Sequence, residues 1–260
     1  MPIERERTST TFTVKKLISV VVVCIIIAVI VLTVYFATSE GHHSDEDNSC
    51  PKVVEYDFDA LSLRWNPTLC NDEKCIRRSD KWEIHGLWQD YKNGSYPSYC
   101  CNSSKFDLEL IEPLLLKLNE SWPNQWESEP EDSLWKHEWM KHGTCSSIGI
   151  KEGQFGYFNR TLHLFDEYPI QEWLEKAGIK PTVTEKQFAY DKDKFHEAIE
   201  SQLGHRITLS CKKKFNSKIL IDTLFVCFKY PGSNLYDCPL KDGCDEKVIL
   251  PKTINPDIRA

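Results

Sequence analysis

Lys81-Trp82-Glu83-Ile84-His85-Gly86-Leu87-Trp88 and Leu134-Trp135-Lys136-His137-Glu138-Trp139-Met140-Lys141-His142-Gly143-Thr144-Cys145 are the stretches on which the reading of this chain turns. The first suits a strand over Trp82 to Leu87, and the second has helical spacing over Trp135 to His142. A strand and a helix thus bring three histidines, His85, His137 and His142, together with Glu138 and Lys141 among tryptophans.

Working outward, Phe58, Leu61, Leu63 and Trp65 with polar residues between them predict a half-buried strand over Asp57 to Trp65, stopped by Asn66-Pro67. Phe106, Leu110, Ile111, Leu114, Leu115 and Leu118 fall three and four apart and predict a core helix that Pro113 starts or kinks. Helical patterns recur over Phe155 to Phe165, Ile170 to Lys176 and Lys192 to Leu203, and β-branched Ile219 to Phe228 suits a buried central strand. Helices and strands mix without βαβ alternation. The fold class is therefore α+β, a central antiparallel sheet flanked by helices.

The 260 residues allow one globular domain of about 200 residues, assigned to 50–260, behind an N-terminal appendage. Leu17 to Phe36 carries no charge over twenty residues, enough as a helix to span the hydrocarbon of a bilayer. Basic Arg5, Arg7, Lys15 and Lys16 precede it, and acidic Glu40, Asp45, Glu46 and Asp47 follow. The positive-inside rule then gives a cytosolic tail over 1–16, a transmembrane signal-anchor over 17–36, a polar stalk over 37–49 and a lumenal or extracellular domain. Small residues Ala37-Thr38-Ser39 keep a second reading open, a cleaved signal peptide that releases a secreted or lysosomal protein. His42 and His43 fall in the stalk and are assigned no chemistry.

Cys24 lies inside the apolar run and the other ten cysteines beyond it, so five disulfides are expected in an oxidising compartment. No paired C-x-x-C pattern points to zinc. Sequons at Asn93, Asn102, Asn119 and Asn159 fit glycosylation in the secretory pathway.

On a helix turning about 100° per residue, His137, Lys141, Glu138 and His142 share one side while Trp139 and Met140 point away. A solvated charged face is the plain alternative for this segment alone. His137-Glu138 resembles the start of a zinc-binding H-E-x-x-H, but the second histidine comes one residue late and faces elsewhere. Cleaving RNA without a metal needs a base for the 2′-hydroxyl, an acid for the leaving 5′-oxygen and cations for the phosphorane. Histidine serves both proton transfers, and lysine with a third histidine fits the last role.

The two blocks resemble the paired active-site segments of the ribonuclease T2 family, secreted or lysosomal endoribonucleases that form 2′,3′-cyclic phosphates. The resemblance runs from about Asp57, with Phe58 to Cys70 matching the family's first strand and cysteine, through Gly178-Ile179-Lys180-Pro181 to Cys238-Pro239. It implies His85 as general acid and His142 as general base. His137, Glu138 and Lys141 would bind the scissile phosphate, and Trp88 would stack on a base of single-stranded RNA. Asp90 and Tyr96 are candidates for the base pocket, by accepting from an exocyclic amine and by stacking. Gln89 departs from the family's usual proline. No cofactor or metal is implied, nor an obligate protein partner for a monomeric ectodomain; the membrane is contacted only through 17–36 if uncleaved. The resemblance also implies disulfides Cys70–Cys75, Cys101–Cys145, Cys211–Cys244 and Cys227–Cys238, which leaves Cys50 with Cys100.

The whole chain carries a formal charge of -7, and without the four basic and two acidic residues before the apolar run the remainder carries about minus nine. Such a field does not attract a polyanion, so binding rests on the histidine and lysine cluster and should strengthen below about pH 6.5. An acidic optimum is expected. A non-catalytic binding or signalling protein of the same fold would have lost a catalytic histidine, and none is lost here.

Overall fold

Strands β1 (Phe58–Trp65), β2 (Trp82–Asp90), β3 (Tyr190–Asp191), β4 (Thr208–Lys213), β5 (Ile219–Lys229), β6 (Leu235–Tyr236) and β7 (Lys247–Val248) pair antiparallel throughout. The main sheet runs β2-β1-β5-β4, with β6 on the end of β5 and β3 paired separately with β7. The helices are α1 (Asn66–Leu69), α2 (Leu115–Ser121), α3 (Ser133–Lys141), α4 (Ser147–Glu167), α5 (Ile170–Lys176) and α6 (Lys192–Leu203). This computed structural model describes residues 25–29, 50–70, 75–182, 189–213, 219–230 and 234–253.

The chain separates into two units, Met1–Asn48 and Ser49–Ala260. In the first, residues 25–29 are helical and exposed. The rest of the 17–36 segment, the tail over 1–16 and the stalk over 37–49 lie outside the described residues. Among the described residues no helix is long and apolar enough to cross a membrane.

β1 is buried along its whole length, not on one face alone as its alternation predicts. The reason is that both faces of the strand are covered. Leu61, Leu63 and Trp65 enter the main core with Ile84, Leu87, Leu224 and Val226, under Tyr157, Phe158 and Leu162 of α4. Phe58 and Ala60 join Cys227 and Cys238 in a second, smaller cluster, and the polar Ser62 and Arg64 are buried too.

Pro113 divides the predicted helix over Phe106 to Leu118. Lacking an N–H, it falls in a 3-10 turn, Leu108–Leu114, before α2 begins. Ile111 and Leu118 are fully buried, but Leu110 is exposed, so this element gives the core less than its spacing promised. β2 continues to Asp90, which makes Gln89 and Asp90 strand residues ahead of a turn closed by Gly94 N–H on the Tyr91 carbonyl. The helix predicted over Phe155 to Phe165 is the inner part of α4, capped by the Ser146 hydroxyl on Gly149 N–H and interrupted at Gly153 (φ 71).

Disulfides join Cys70 to Cys75, Cys211 to Cys244 and Cys227 to Cys238. The other two differ from the expected pairs: Cys100 joins Cys145, and Cys101 joins Cys50. Tyr99, in the left-handed region (φ 52), donates its N–H to the Lys141 carbonyl at the end of α3. That contact docks Cys100 against Cys145, with Cα atoms 5.1 Å apart, and leaves Cys101 for Cys50. Adjacent cysteines look alike in sequence, and only the direction of the chain separates them.

Candidate active site

His85 owes its position to an irregularity in β2. Ser62 pairs with Gly86 and Leu63 with Ile84, so His85 is the extra residue of a bulge. Such a bulge re-aims one side chain out of the ladder. The His85 carbonyl is pinned by the Trp122 indole N–H at 2.8 Å, and the imidazole keeps 37% of its surface exposed.

α3 supplies the other half. Trp135 and Trp139 anchor it in the core, while Glu138, 1% exposed, meets β2 at Gly86. A Cβ at Gly86 would land on the Glu138 carboxylate and on the Trp88 indole nitrogen, so glycine is required there for close approach. The Trp88 indole donates to Glu138 Oε2 at 2.9 Å, and His85 Nε2 lies 4.0 Å from Glu138 Oε1. His142 is the C-cap residue of α3. Its ring stacks on Trp88 with centroids 5.3 Å apart and planes 21° from parallel, and the His85 ring meets the same indole edge-on at 4.9 Å.

Trp88 is thus the hub on which both histidines and the glutamate are arranged, and one face of its ring is taken by His142. Lys141 Nζ lies 5.3 Å from the centre of the Tyr96 ring, which lies 6.3 Å from His142 and is 50% exposed. His137 is exposed beside these residues, near enough for its charge to act on both other histidines. Asp90 lies further along β2, 8% exposed, and no described contact joins it to the histidines. Gln89 is wholly buried and donates to Asp59 Oδ1 (3.0 Å) and to the Leu87 carbonyl (3.3 Å), so it braces the strand from inside.

Burial first, then the positive charges of Arg64, His137, Lys141 and Lys212, push the His85 imidazolium down to about 3. Burial, Lys141, His137 and His85 do the same to His142, to about 3. Burial pushes the Glu138 carboxyl up to about 8, opposed by the Trp88 hydrogen bond, Arg64 and Lys141. Nδ1 of His142 is buried with no hydrogen-bond partner. An entering phosphate monoester or diester would reverse the depression of both imidazoles, because a negative charge favours their protonated forms.

Two contributors escaped the sequence reading. Arg64 reads as the solvent-facing residue of an alternating strand, yet it is 5% exposed. Trp122 holds His85 through a backbone carbonyl, a contact that leaves no trace in sequence spacing. Of the sequons, Asn93 and Asn102 stand on exposed turns, whereas Asn119 and Asn159 are half-buried with Ser121 and Thr161 packed inside. Among the described residues no group of three or more histidine, cysteine or acidic side chains is placed to hold a metal.

The domain is an antiparallel α+β fold that gathers two imidazoles and a carboxyl around one indole. Comparison with known proteins gives the family. Residues 56–238 match the model of the ribonuclease T2 family. Ribonuclease 1 of Arabidopsis thaliana is 32% identical over 193 residues, covering 72% of this chain and 81% of its own. Ribonuclease T2 of Homo sapiens is 40% identical over 133 residues, half of each chain. The solved structure of RNase NT in complex with 5'-AMP superposes with a TM-score of 0.68 at 28% identity, over 76% of this chain and 98% of that one. The chain belongs to the ribonuclease T2 family and is an endoribonuclease.

Proposed function

We propose that this endoribonuclease cuts single-stranded RNA by metal-independent transesterification. His142 takes the proton of the 2′-hydroxyl, the 2′-oxygen attacks phosphorus, and His85 gives a proton to the departing 5′-oxygen. The product is a 2′,3′-cyclic phosphate. The observation that carries this reading is the convergence of His85, Glu138 and His142 on the Trp88 ring. Two imidazoles on one indole can serve opposite ends of one phosphodiester. Lys141 and His137 supply positive charge to the phosphoryl oxygens. Glu138, whose carboxyl burial holds protonated in acid, donates a hydrogen bond to the same group.

Tyr96, half exposed beside His142 and Lys141, is assigned the base platform; Trp88, already stacked on His142, is assigned the positioning of the histidines. The substrate's negative phosphate favours the protonated form of His85, the donor, while His142 must stay neutral to accept a proton, so cleavage peaks in mild acid. The apolar run over 17–36 carries the domain into the secretory pathway, where its disulfides persist and Asn93 and Asn102 present themselves for glycosylation. The test is digestion of single-stranded RNA by the full chain in excess chelator. Cleavage with 2′,3′-cyclic ends is expected; loss of cleavage on chelation contradicts the proposal.

A further inference from the structure

Arg64 stands on central strand β1, opposite Glu83 of β2 and Thr223 of β5. A guanidinium that is 5% exposed is costly unless matched, so what it touches is informative. Its Nη2 donates to the Pro123 carbonyl at 2.6 Å. Its Nε lies 3.8 Å from Glu83 Oε2 and makes no hydrogen bond. Glu83, itself 2% exposed, accepts from Gln125 Nε2 on both oxygens (2.9 Å each) and from Asn66 Nδ2 (3.0 Å).

The segment from Trp122 to Gln125 is therefore held at one end by the Arg64–Glu83 pair. At its other end the Trp122 indole holds the His85 carbonyl at 2.8 Å, and Trp135 Nε1 fixes the Trp122 carbonyl at 2.7 Å. Trp135 belongs to α3, the helix of Glu138 and His142. One short segment thus ties the bulge of β2 to α3, and Arg64 is its buried fastening.

We propose that Arg64 is a positioning residue of this enzyme: with Glu83 as its fixed counter-charge, it clamps the Trp122–Gln125 segment that sets His85 against Glu138. The proposal rests on the nuclease reading above. The charged groups around Arg64 are Glu83 from β2, Glu138 from α3 and Asp222 from β5, the last bridged to Lys212 of β4 at 2.9 Å. Its charge favours the ionised Glu138 and the neutral His85. Removing that charge moves both groups the same way, towards higher pH.

The test is a pH–rate profile on a dinucleoside phosphate, with NMR titration of His85, in full-length Arg64→Gln, Arg64→Lys and Glu83→Gln. Arg64→Gln should lower kcat about 10- to 100-fold with little change in KM, as displacement of a reacting group does, and shift the profile and the His85 titration to higher pH. Arg64→Lys should keep the profile in place, and Glu83→Gln should shift it to lower pH. A lowered rate with an unmoved profile and unmoved titration in Arg64→Gln assigns Arg64 to stability alone and overturns the proposal. Should Arg64→Gln not fold, an unshifted Glu83→Gln overturns it equally. A wild-type chain that leaves RNA intact defeats the nuclease reading instead, and the His85 titration still decides the place of Arg64.

Discussion

The two halves of the site are held by opposite means. His85 sits on an edge strand with 37% of its side chain exposed, and is fixed through its backbone by the bulge and by Trp122. Glu138 and His142 sit at the end of a helix, 1% and 4% exposed, and are fixed by burial of the side chains themselves. The roles proposed above fit this difference, since a proton donor to a leaving group must be reachable, whereas a residue that acts on a bound hydroxyl gains from rigidity and exclusion of water. The strand half is thus open to substrate and the helix half is packed behind it.

That contrast can be broken at several points. Replacing His142 with alanine should have the largest effect, a loss of about 10² to 10⁴-fold in kcat, since the proposed general base and the stacking partner of Trp88 go together. Gly86→Ala adds one methyl where the Glu138 carboxylate lies, and should cost about 10²-fold in kcat/KM by forcing the two halves apart. Steady-state kinetics on a dinucleoside phosphate measures both, and near wild-type Gly86→Ala activity would show that the halves need not touch.

Disulfide removal should separate the halves by stability. Cys100–Cys145, separated by 45 residues, anchors the loop after β2 to the end of α3. Replacing both cysteines with serine should cost about 3 to 4 kcal/mol in denaturant unfolding.

Asp59 sharpens the comparison with the smallest effect. It is 7% exposed in β1, and burial raises its carboxyl to about 7 against the Gln89 and Tyr56 hydrogen bonds. A carboxyl raised on folding holds its proton in the folded state, so the folded domain loses stability as pH rises from the unfolded value near 4 through 7. Asp59→Asn should remove about 1 kcal/mol per pH unit of that slope in urea titrations, leaving catalysis unaltered. An unchanged slope would place the titration elsewhere.

How much of this was legible in sequence follows from what kind of contact each feature is. The residue types and helical spacing of the 134–145 block, with the histidine of 81–88, mark a cluster of imidazoles, a carboxyl and an amine, and it is the resemblance to the ribonuclease T2 family that singles out His85, Glu138 and His142 within it. The bulge at His85 was not legible, since it is a register shift between β1 and β2 and depends on both. The burial of Arg64 was missed because a charged residue in an alternating strand normally faces water, and only an interior strand with a buried Glu83 opposite reverses that. The adjacent cysteines were misassigned for want of the Tyr99 turn, a local φ that composition does not announce.

The roles of the two histidines are tested most directly with a nucleoside 3′-phosphodiester whose leaving group, p-nitrophenolate, departs without a proton. His85→Ala should cleave this substrate at close to the wild-type rate while failing on a dinucleoside phosphate, and His142→Ala should fail on both. Equal impairment of His85→Ala on the two substrates would contradict the assignment of His85 as the acid.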